Sequence, residues 1–294
     1  MPKLSVIILS YNTSEITKRC LEQLVKSFEK TSFESEMIII DNASSDASRE
    51  MISTFSSNFS KNNVKVVSIL NKENVGFPKG NNQGLKKANG QFVLFLNSDV
   101  MVGNLNWEKV FSYFEKEHRV GAMTIRLELP TGMIDPASHR GFPTVWNSFC
   151  YYLGLEKLTA KIPLLNNLFG GYHLTYKNLH EAHEIDSPSG AFFLVRKEVI
   201  DNLGGFDETY FMYGEDLDLA FKLKENNYKV VYFPYEMATH LKYSSGLKNG
   251  KRKSATKKYF YDAMKIFYKK HYAKKYPSLI NELIYFFIGF KSKI

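Results

Sequence analysis

The side chains best suited to chemistry gather in a few short stretches. Tyr213-Gly214-Glu215-Asp216-Leu217-Asp218 places three carboxylates within four residues at the predicted start of a helix, where the macrodipole favours acids. An i, i+4 pair with Lys222 would account for Asp218 as surface chemistry, but Glu215 and Asp216 then carry more charge than a cap needs. About one helix and one strand later stands His240. Upstream, Ser10-Tyr11-Asn12, Asp41-Asn42-Ala43-Ser44-Ser45-Asp46 and Asn97-Ser98-Asp99 each close a short apolar run. Any one of these endings could be a mere turn or helix cap; three in register at one sheet edge make a polar rim. Carboxylates so placed suit cation binding and proton transfer, whereas a lone histidine in a strand is usually a satisfied core residue.

The elements that must position this rim are legible. Apolar, β-branched runs at Leu4–Ser10, Met37–Asp41, Val64–Leu70 and Phe92–Leu96 alternate with segments of helical period, which predicts an α/β domain around a parallel sheet covered on both faces. Ser14 is expected to cap a helix running to about Glu29, and Asp46 another toward Phe55. Ser189–Val195 reads as a further strand, followed by a turn at Gly204-Gly205-Phe206-Asp207-Glu208. In such sheets ligands bind beyond the carboxyl ends of the strands. Gly76, Gly80 and Gly84 recur every four residues in Asn74-Val75-Gly76-Phe77-Pro78-Lys79-Gly80-Asn81 and so share one smooth helical face. That face admits either a backbone or a ligand; it is neither a Walker loop nor a dinucleotide fingerprint. Residues 126–186, rich in aromatics, show no regular period, and His180 and His183 are spaced three apart rather than the four of a zinc-protease helix.

Composition narrows the class. The 294 residues, 44% hydrophobic, fit a globular chain. Two cysteines, Cys20 and Cys150, suggest a reducing compartment and hence the cytoplasm. The apolar run at Leu4–Leu9 lacks the cleavage site of a secretory signal. The net charge of +9 is uneven: residues 242–294 hold 14 Lys and Arg against Asp262 and Glu282, leaving the rest of the chain mildly acidic. This is a domain with an adhesive tail, not a nucleic-acid binder.

Taken together, these motifs resemble the family 2 inverting glycosyltransferases of the GT-A fold, and among them the rhamnosyltransferase-like bacterial enzymes. The resemblance runs from about residue 3 to Gly246. It rests on Ser10-Tyr11-Asn12, Asp41-Asn42-Ala43-Ser44, Asn74-Val75-Gly76-Phe77 with Gly80-Asn81, Asn97-Ser98-Asp99, Ser189-Gly190-Ala191, Gly205-Phe206-Asp207-Glu208, Glu215-Asp216 with Asp218-Leu219, and His240. It implies a Rossmann-like mixed sheet flanked by helices over residues 1–250, with 251–294 as a basic, aromatic helical tail. It also implies sugar transfer from a nucleotide-diphosphate donor, dTDP-rhamnose or a UDP-sugar, to a hydroxyl of a glycan or polyprenyl-linked acceptor in surface polysaccharide synthesis. On this resemblance Mg²⁺ or Mn²⁺ is held by Asp99 and a neutral His240, and Asp216 is the base with Glu215 as the alternative. Tyr11 stacks on the donor base and Asp41 accepts its ring N–H, while Asn74, Gly80 and Asn81 line ribose and diphosphate; Asn12 and Asn97 complete the donor-binding set. Two positions depart from the pattern: Asn97 stands where many relatives have Asp, and Lys222 where they have Arg, losing the bidentate fork.

The tail ends in Leu283-Ile284-Tyr285-Phe286-Phe287-Ile288-Gly289-Phe290, far short of the ~20 residues that span a bilayer. It is expected either to lie on the inner face of the cell membrane, as a peripheral contact, or to pack on the body with a solvated lysine face. Two rival functions stand beside the transferase. A nucleotidyltransferase would need a basic Gly-rich loop near its N-terminus, where Tyr11-Asn12-Thr13-Ser14 stands instead. A non-catalytic sugar-binding module would not need Asp99, Glu215, Asp216 and His240 together.

Overall fold

A computed structural model describes residues 1–59, 63–242 and 250–293, with the side chains of 250–255 left aside; Gly246 lies outside the described residues. Among the described residues nine strands form one sheet: β1 (Leu4–Ser10), β2 (Ser35–Asp41), β3 (Val64–Leu70), β4 (Phe92–Asn97), β5 (Val100–Met101), β6 (Val120–Glu128), β7 (His183–Ile185), β8 (Phe192–Arg196) and β9 (Lys229–His240). Their order is β3-β2-β1-β4-β8-β6-β9-β5, with β7 on β9. The first four strands are mutually parallel, while β8 runs antiparallel to both β4 and β6. This is the mixed, helix-flanked α/β sheet of the GT-A fold.

Each central strand is apolar on both faces, as burial between two helical layers requires. Leu4, Val6 and Ile8 of β1 join Met37 and Ile39 of β2 and Leu94 of β4 in one core; Ile7, Ile38, Ile40, Val93 and Phe95 point to the other. Helices α1 (Ser14–Ser27), α2 (Ser48–Asn58) and, later in the chain, α4 (Trp107–Lys116) cover the first face. The second is covered by α3 (Phe77–Leu85) and, beyond α5 (Val145–Tyr152), α6 (Leu155–Thr159) and α7 (Pro163–Phe169), by α8 (Lys197–Leu203), α9 (Glu215–Glu225) and α10 (Gly250–His271); α11 (Ser278–Lys293) follows.

The expected elements lie close to the observed ones, with three differences. Ser14 is the first helical residue of α1 and Thr13 precedes it without a side-chain cap; Asp46 accepts from the Ser14 and Ser48 N–H groups and so serves both α1 and α2. Strand β8 begins only at Phe192, because Ser189-Gly190-Ala191 turns aside to meet another element. The glycine stripe faces the sheet: a Cβ on Gly80 would come within 2.6 Å of Leu9, and one on Gly84 within 2.6 Å of Ile7. It lets α3 sit close on β1, so close packing rather than a ligand accounts for the missing side chains.

Register explains the polar rim. Ser10 aligns with Asp41 and Leu9 with Asn97, so the three strands end level. On the far side, pairing between β6 and β9 slips between Ile125 and Arg126, where Pro234-Tyr235-Glu236 is looped past, and the strand then runs on to place His240 opposite Val100.

Helix α10 belongs to the second core. Ala263, Phe267, Tyr268 and Tyr272 are buried against Leu219 and Phe221 of α9, each large ring contributing about 1.5–3 kcal/mol of burial. Asp218, fully buried, ties the two helices: it accepts from Lys270 Nζ at 2.6 Å and His271 Nε2 at 2.7 Å, and Lys222 lies 3.1 Å from its other oxygen. Burial alone would lift this carboxyl, but the His271 and Lys270 bonds outweigh it and hold it down at about 2. Asp218 is therefore structural, and α10 packs on the body. Asp218→Asn should cost about 3 kcal/mol in urea unfolding at neutral pH. The carboxylate's contribution is complete above its ordinary value of 3.8 and is lost as pH falls through about 2, so the variant should lack that part of the acid dependence.

Candidate functional site

At the β1 and β2 ends the loops are stitched to each other. Asn12, held at φ +56°, donates its N–H to Ser44 Oγ at 2.9 Å, and its Oδ1 accepts from the Ser45 N–H at 2.7 Å. Ala43 is also left-handed, at φ +62°, a conformation costing a non-glycine residue about 1–2 kcal/mol and kept where surroundings over-determine it. Asp41 is wholly buried. Its Oδ2 accepts from the Ser44 N–H at 3.2 Å, with Arg49 Nη1 at 3.6 Å, while Oδ1 is buried with no partner. Such an acceptor is costly unless a ligand donor completes it. Asn74 receives the Asn42 amide at 2.8 Å and the Gly76 N–H at 3.0 Å, which fixes the loop before α3; Asn81 turns inward, donating to Phe77 O at 2.9 Å. Tyr11 and Asn97 stay half-buried on the rim.

The middle of the rim holds Asp99 and His240, brought together as expected, with Asp99 Oδ1 3.4 Å from His240 Nε2. The other ring nitrogen, Nδ1, lies 2.7 Å from Oδ2 of Asp135, whose Oδ1 takes Lys242 Nζ at 2.8 Å. Asp135 caps the short 3₁₀ turn Pro136–Ser138 and is fully buried. Burial raises its carboxyl, but the His240 and Lys242 bonds hold it well below the usual range. His240 answers in the opposite sense. Burial disfavours its charge, yet Asp135 and Asp99 push it up to about 9. Without a cation these two carboxyl groups favour the protonated ring; a cation would replace its Nε2 proton and leave the neutral imidazole that the resemblance implies, with Nδ1–H on Asp135. Among the described residues no three His, Cys, Asp or Glu side chains gather as a metal cage. Two ligands with an orienting carboxylate behind the histidine nevertheless fit a cation completed by ligand oxygens.

The third part centres on Asp216. Its Oδ2 accepts from Arg140 Nη2 at 2.8 Å and from the Gly190 N–H at 3.1 Å, and its Oδ1 from the Leu217 N–H at 2.8 Å. Gly190 belongs to the segment that turned away from β8, and this carboxylate is what it meets. Tyr213, just before the helix, is left-handed at φ +71°. Glu215 is buried, with Oε2 unpartnered, as are Ser189 Oγ and Arg140 Nε. Burial, then the neighbouring Asp216 charge, push the Glu215 carboxyl up to about 8. The two adjacent acids therefore differ at neutral pH: one is an ion-paired acceptor and the other tends to keep its proton.

Direct contacts join the three parts. Asn97 N–H donates to Ala191 O at 3.0 Å, so Asn97-Ser98-Asp99 lies beside Ser189-Gly190-Ala191; Ser98 Oγ lies 3.3 Å from Thr13 Oγ1 on the β1 loop. Sequence reasoning missed Asp135 and Arg140. Both fall in the aperiodic stretch 126–186, where the Asp135-Pro136 step and Arg140-Gly141 were the available signals.

A model of glycosyl transferase family 2 matches residues 5–204, and one of glycosyl transferase family group 2 matches residues 159–284. The chain belongs to glycosyl transferase family 2. It is similar to the uncharacterized glycosyltransferase YfnE of Bacillus subtilis, 27% identical over 76% of this chain and 60% of YfnE. It is also similar to the O-antigen chain rhamnosyltransferase WbaN of Salmonella anatum, 28% identical over 79% and 64%. The chain thus spans less than two thirds of these family 2 relatives. The fold is shared with Staphylococcus aureus TarS 1-349 (TM-score 0.54, 21% identity, 90% of this chain and 64% of that one). It is shared as well with the Pyrobaculum calidifontis mannosyltransferase PcManGT, solved with GDP-Man and Mn²⁺ (TM-score 0.57, 16% identity, 92% and 64%).

The raised Glu215 carboxyl gives a signed pH effect. The folded protein keeps a proton there that the unfolded chain releases above about 4.5, so this contribution is full below 4.5 and is lost as pH rises through about 8. Urea unfolding across that window should show wild-type stability declining by up to about 1.4 kcal/mol per pH unit from this site, and Glu215→Gln should flatten the decline.

Proposed function

We propose that this chain transfers a sugar from a nucleotide-diphosphate donor to a hydroxyl of a glycan or polyprenyl-linked acceptor, with inversion at the anomeric carbon, in surface polysaccharide synthesis at the cytoplasmic side of the membrane. The observation that carries this reading is the placement of buried, unpartnered polar atoms at both ends of one rim: Asp41 Oδ1 at one end, and Glu215 Oε2, Ser189 Oγ and Arg140 Nε at the other. Asp99 and His240 stand between them.

Asp41 Oδ1 suits the ring N–H of a uracil or thymine, with Tyr11 against the ring face; this favours a UDP-sugar or dTDP-rhamnose. Asn12, Asn74 and Asn97 border the ribose and diphosphate, whereas Gly80, packed on Leu9, and Asn81, turned inward onto Phe77 O, shape the helix beneath them. Asp99 and His240 would hold Mg²⁺ or Mn²⁺, which when bound offsets the charge growing on the departing diphosphate.

Asp216 takes the acceptor proton. The acceptor oxygen bonds to the anomeric carbon on the face opposite the diphosphate, the old carbon–oxygen bond breaks toward the nucleotide diphosphate, and the hydroxyl proton passes to Asp216. Arg140 and the Gly190 N–H hold Oδ2, which keeps the group aimed. Glu215 serves less well as the base, because at neutral pH it tends to hold a proton already.

A panel of UDP-, dTDP- and GDP-sugars, scored for hydrolysis and for thermal protection with and without Mn²⁺, tests the reading. One donor class should raise the unfolding midpoint more strongly with the cation. Asp216→Asn should keep that protection and lower turnover roughly a thousandfold, and Asp41→Ala should weaken donor binding by about tenfold or more. Protection by no nucleotide sugar would refute it.

A further inference from the structure

The residues that the fold leaves uncovered form a second feature, apart from the rim. Helix α11 turns Ile284, Tyr285 and Ile288 toward the body. Its opposite face, Leu279, Leu283, Phe286 and Phe290 at helical spacing with Phe287 beside them, is 47–67% exposed. A helix apolar all round belongs in an apolar surrounding on both sides. The α5–α7 segment has the same character: Leu158 is 77% exposed, Leu164 80%, Leu153 59% and Leu168 54%.

The two faces adjoin. Lys291 of α11 sits over the Tyr152 ring of α5 at 5.5 Å, and Tyr152 OH lies 4.0 Å from Met264 Sδ on α10. Both are net positive. Between Pro143 and Leu179 the sole acid is Glu156, buried and bound to His173 at 2.8 Å, while Lys157 and Lys161 are exposed. From Ala273 onward the sole acid is Glu282, among Lys274, Lys275, Lys291 and Lys293. A cleft of ≈ 290 Å³ between α10 and α11 adds Lys257, Lys258 and Lys293 around Asp262.

We propose that the outer faces of α5–α7 and α11 form a single surface that docks on an anionic lipid bilayer. Apolar rings and leucines enter the interface while lysines meet the head groups. No helix among the described residues is long and apolar enough to cross a membrane, so the contact is peripheral. Charge decides the occupant: a second copy would set lysines against lysines, whereas anionic lipid complements both halves. Helix α5 also carries the surface toward the rim, since Tyr151 stacks on Tyr172 at 4.8 Å and Tyr172 interacts with Arg140, the partner of Asp216. Docking would thus bring the acceptor side of the site to the lipid, a bearing that rests on the functional reading above; the surface itself rests on exposure and charge.

Flotation of the full chain with vesicles of phosphatidylglycerol and phosphatidylcholine, against phosphatidylcholine alone, tests this. Wild type should float with the anionic vesicles. Leu164→Asp and Phe286→Asp should each weaken that binding by about tenfold or more with an unchanged unfolding midpoint, and together abolish it. Lys157→Glu with Lys161→Glu, which touches no apolar contact, should weaken it as well and keeps the result readable should an aspartate disturb a helix. Equal binding by the Leu164→Asp and Lys157→Glu/Lys161→Glu variants, no binding by wild type, or a wild-type dimer that Phe286→Asp converts to monomer would each overturn the proposal. Donor hydrolysis in solution should be unchanged in every variant; its absence from wild type would count against the functional reading and leave the vesicle result standing.

Discussion

The constraint on which this architecture depends is the meeting of β4 and β8, where the parallel strands β1–β4 join an antiparallel one. Because β8 runs the other way, the loop entering it arrives at the edge that β4 leaves. Asn97-Ser98-Asp99 and Ser189-Gly190-Ala191 therefore lie side by side, bridged by the Asn97 N–H. A fully parallel sheet would have set a strand exit there, with its helix N-terminus. The antiparallel strand instead supplies a free backbone N–H at Gly190, and Asp216 uses it. Asp99 and Asp216 sit in neighbouring segments for this topological reason.

Around that junction the charged groups are arranged so that each buried ion has an answer. Asp135 is paid for by His240 and Lys242, Asp216 by Arg140, and Asp218 by Lys270, His271 and Lys222. The atoms left unanswered are more telling. Buried polar atoms normally find partners; among the described residues those without one on Asp41, Ser189, Glu215 and Arg140 lie along the rim, while others, on Ser35, Ser56, His183 and Asp218, are not part of it.

How much of this could be read from the residues depended on how local the cause was. The runs Leu4–Ser10 and Val64–Leu70 are strands over the same residues in the fold, since continuous β-branched character between turn signals leaves little alternative. Asp99 and His240 were paired only through family likeness, and the pairing holds because the slip in β9 carries His240 to Val100. Asp135 and Arg140 were out of reach. Each works through one long-range contact, to His240 and to Asp216, and nothing periodic announces such a contact in a stretch of short helices and turns. The tail was half legible: its charge and aromatic content were plain, but Phe267 and Tyr268 could be assigned to the core only once Phe221 was seen beneath them.

Helix α9 carries Glu215 and Asp216 in its first turn and, immediately after them, the carboxylate that grips α10. The grip is short, buried and made of charges, so it resists sliding far better than a greasy contact would. Whatever leans on the C-terminal helices therefore leans on the helix that bears the two acids.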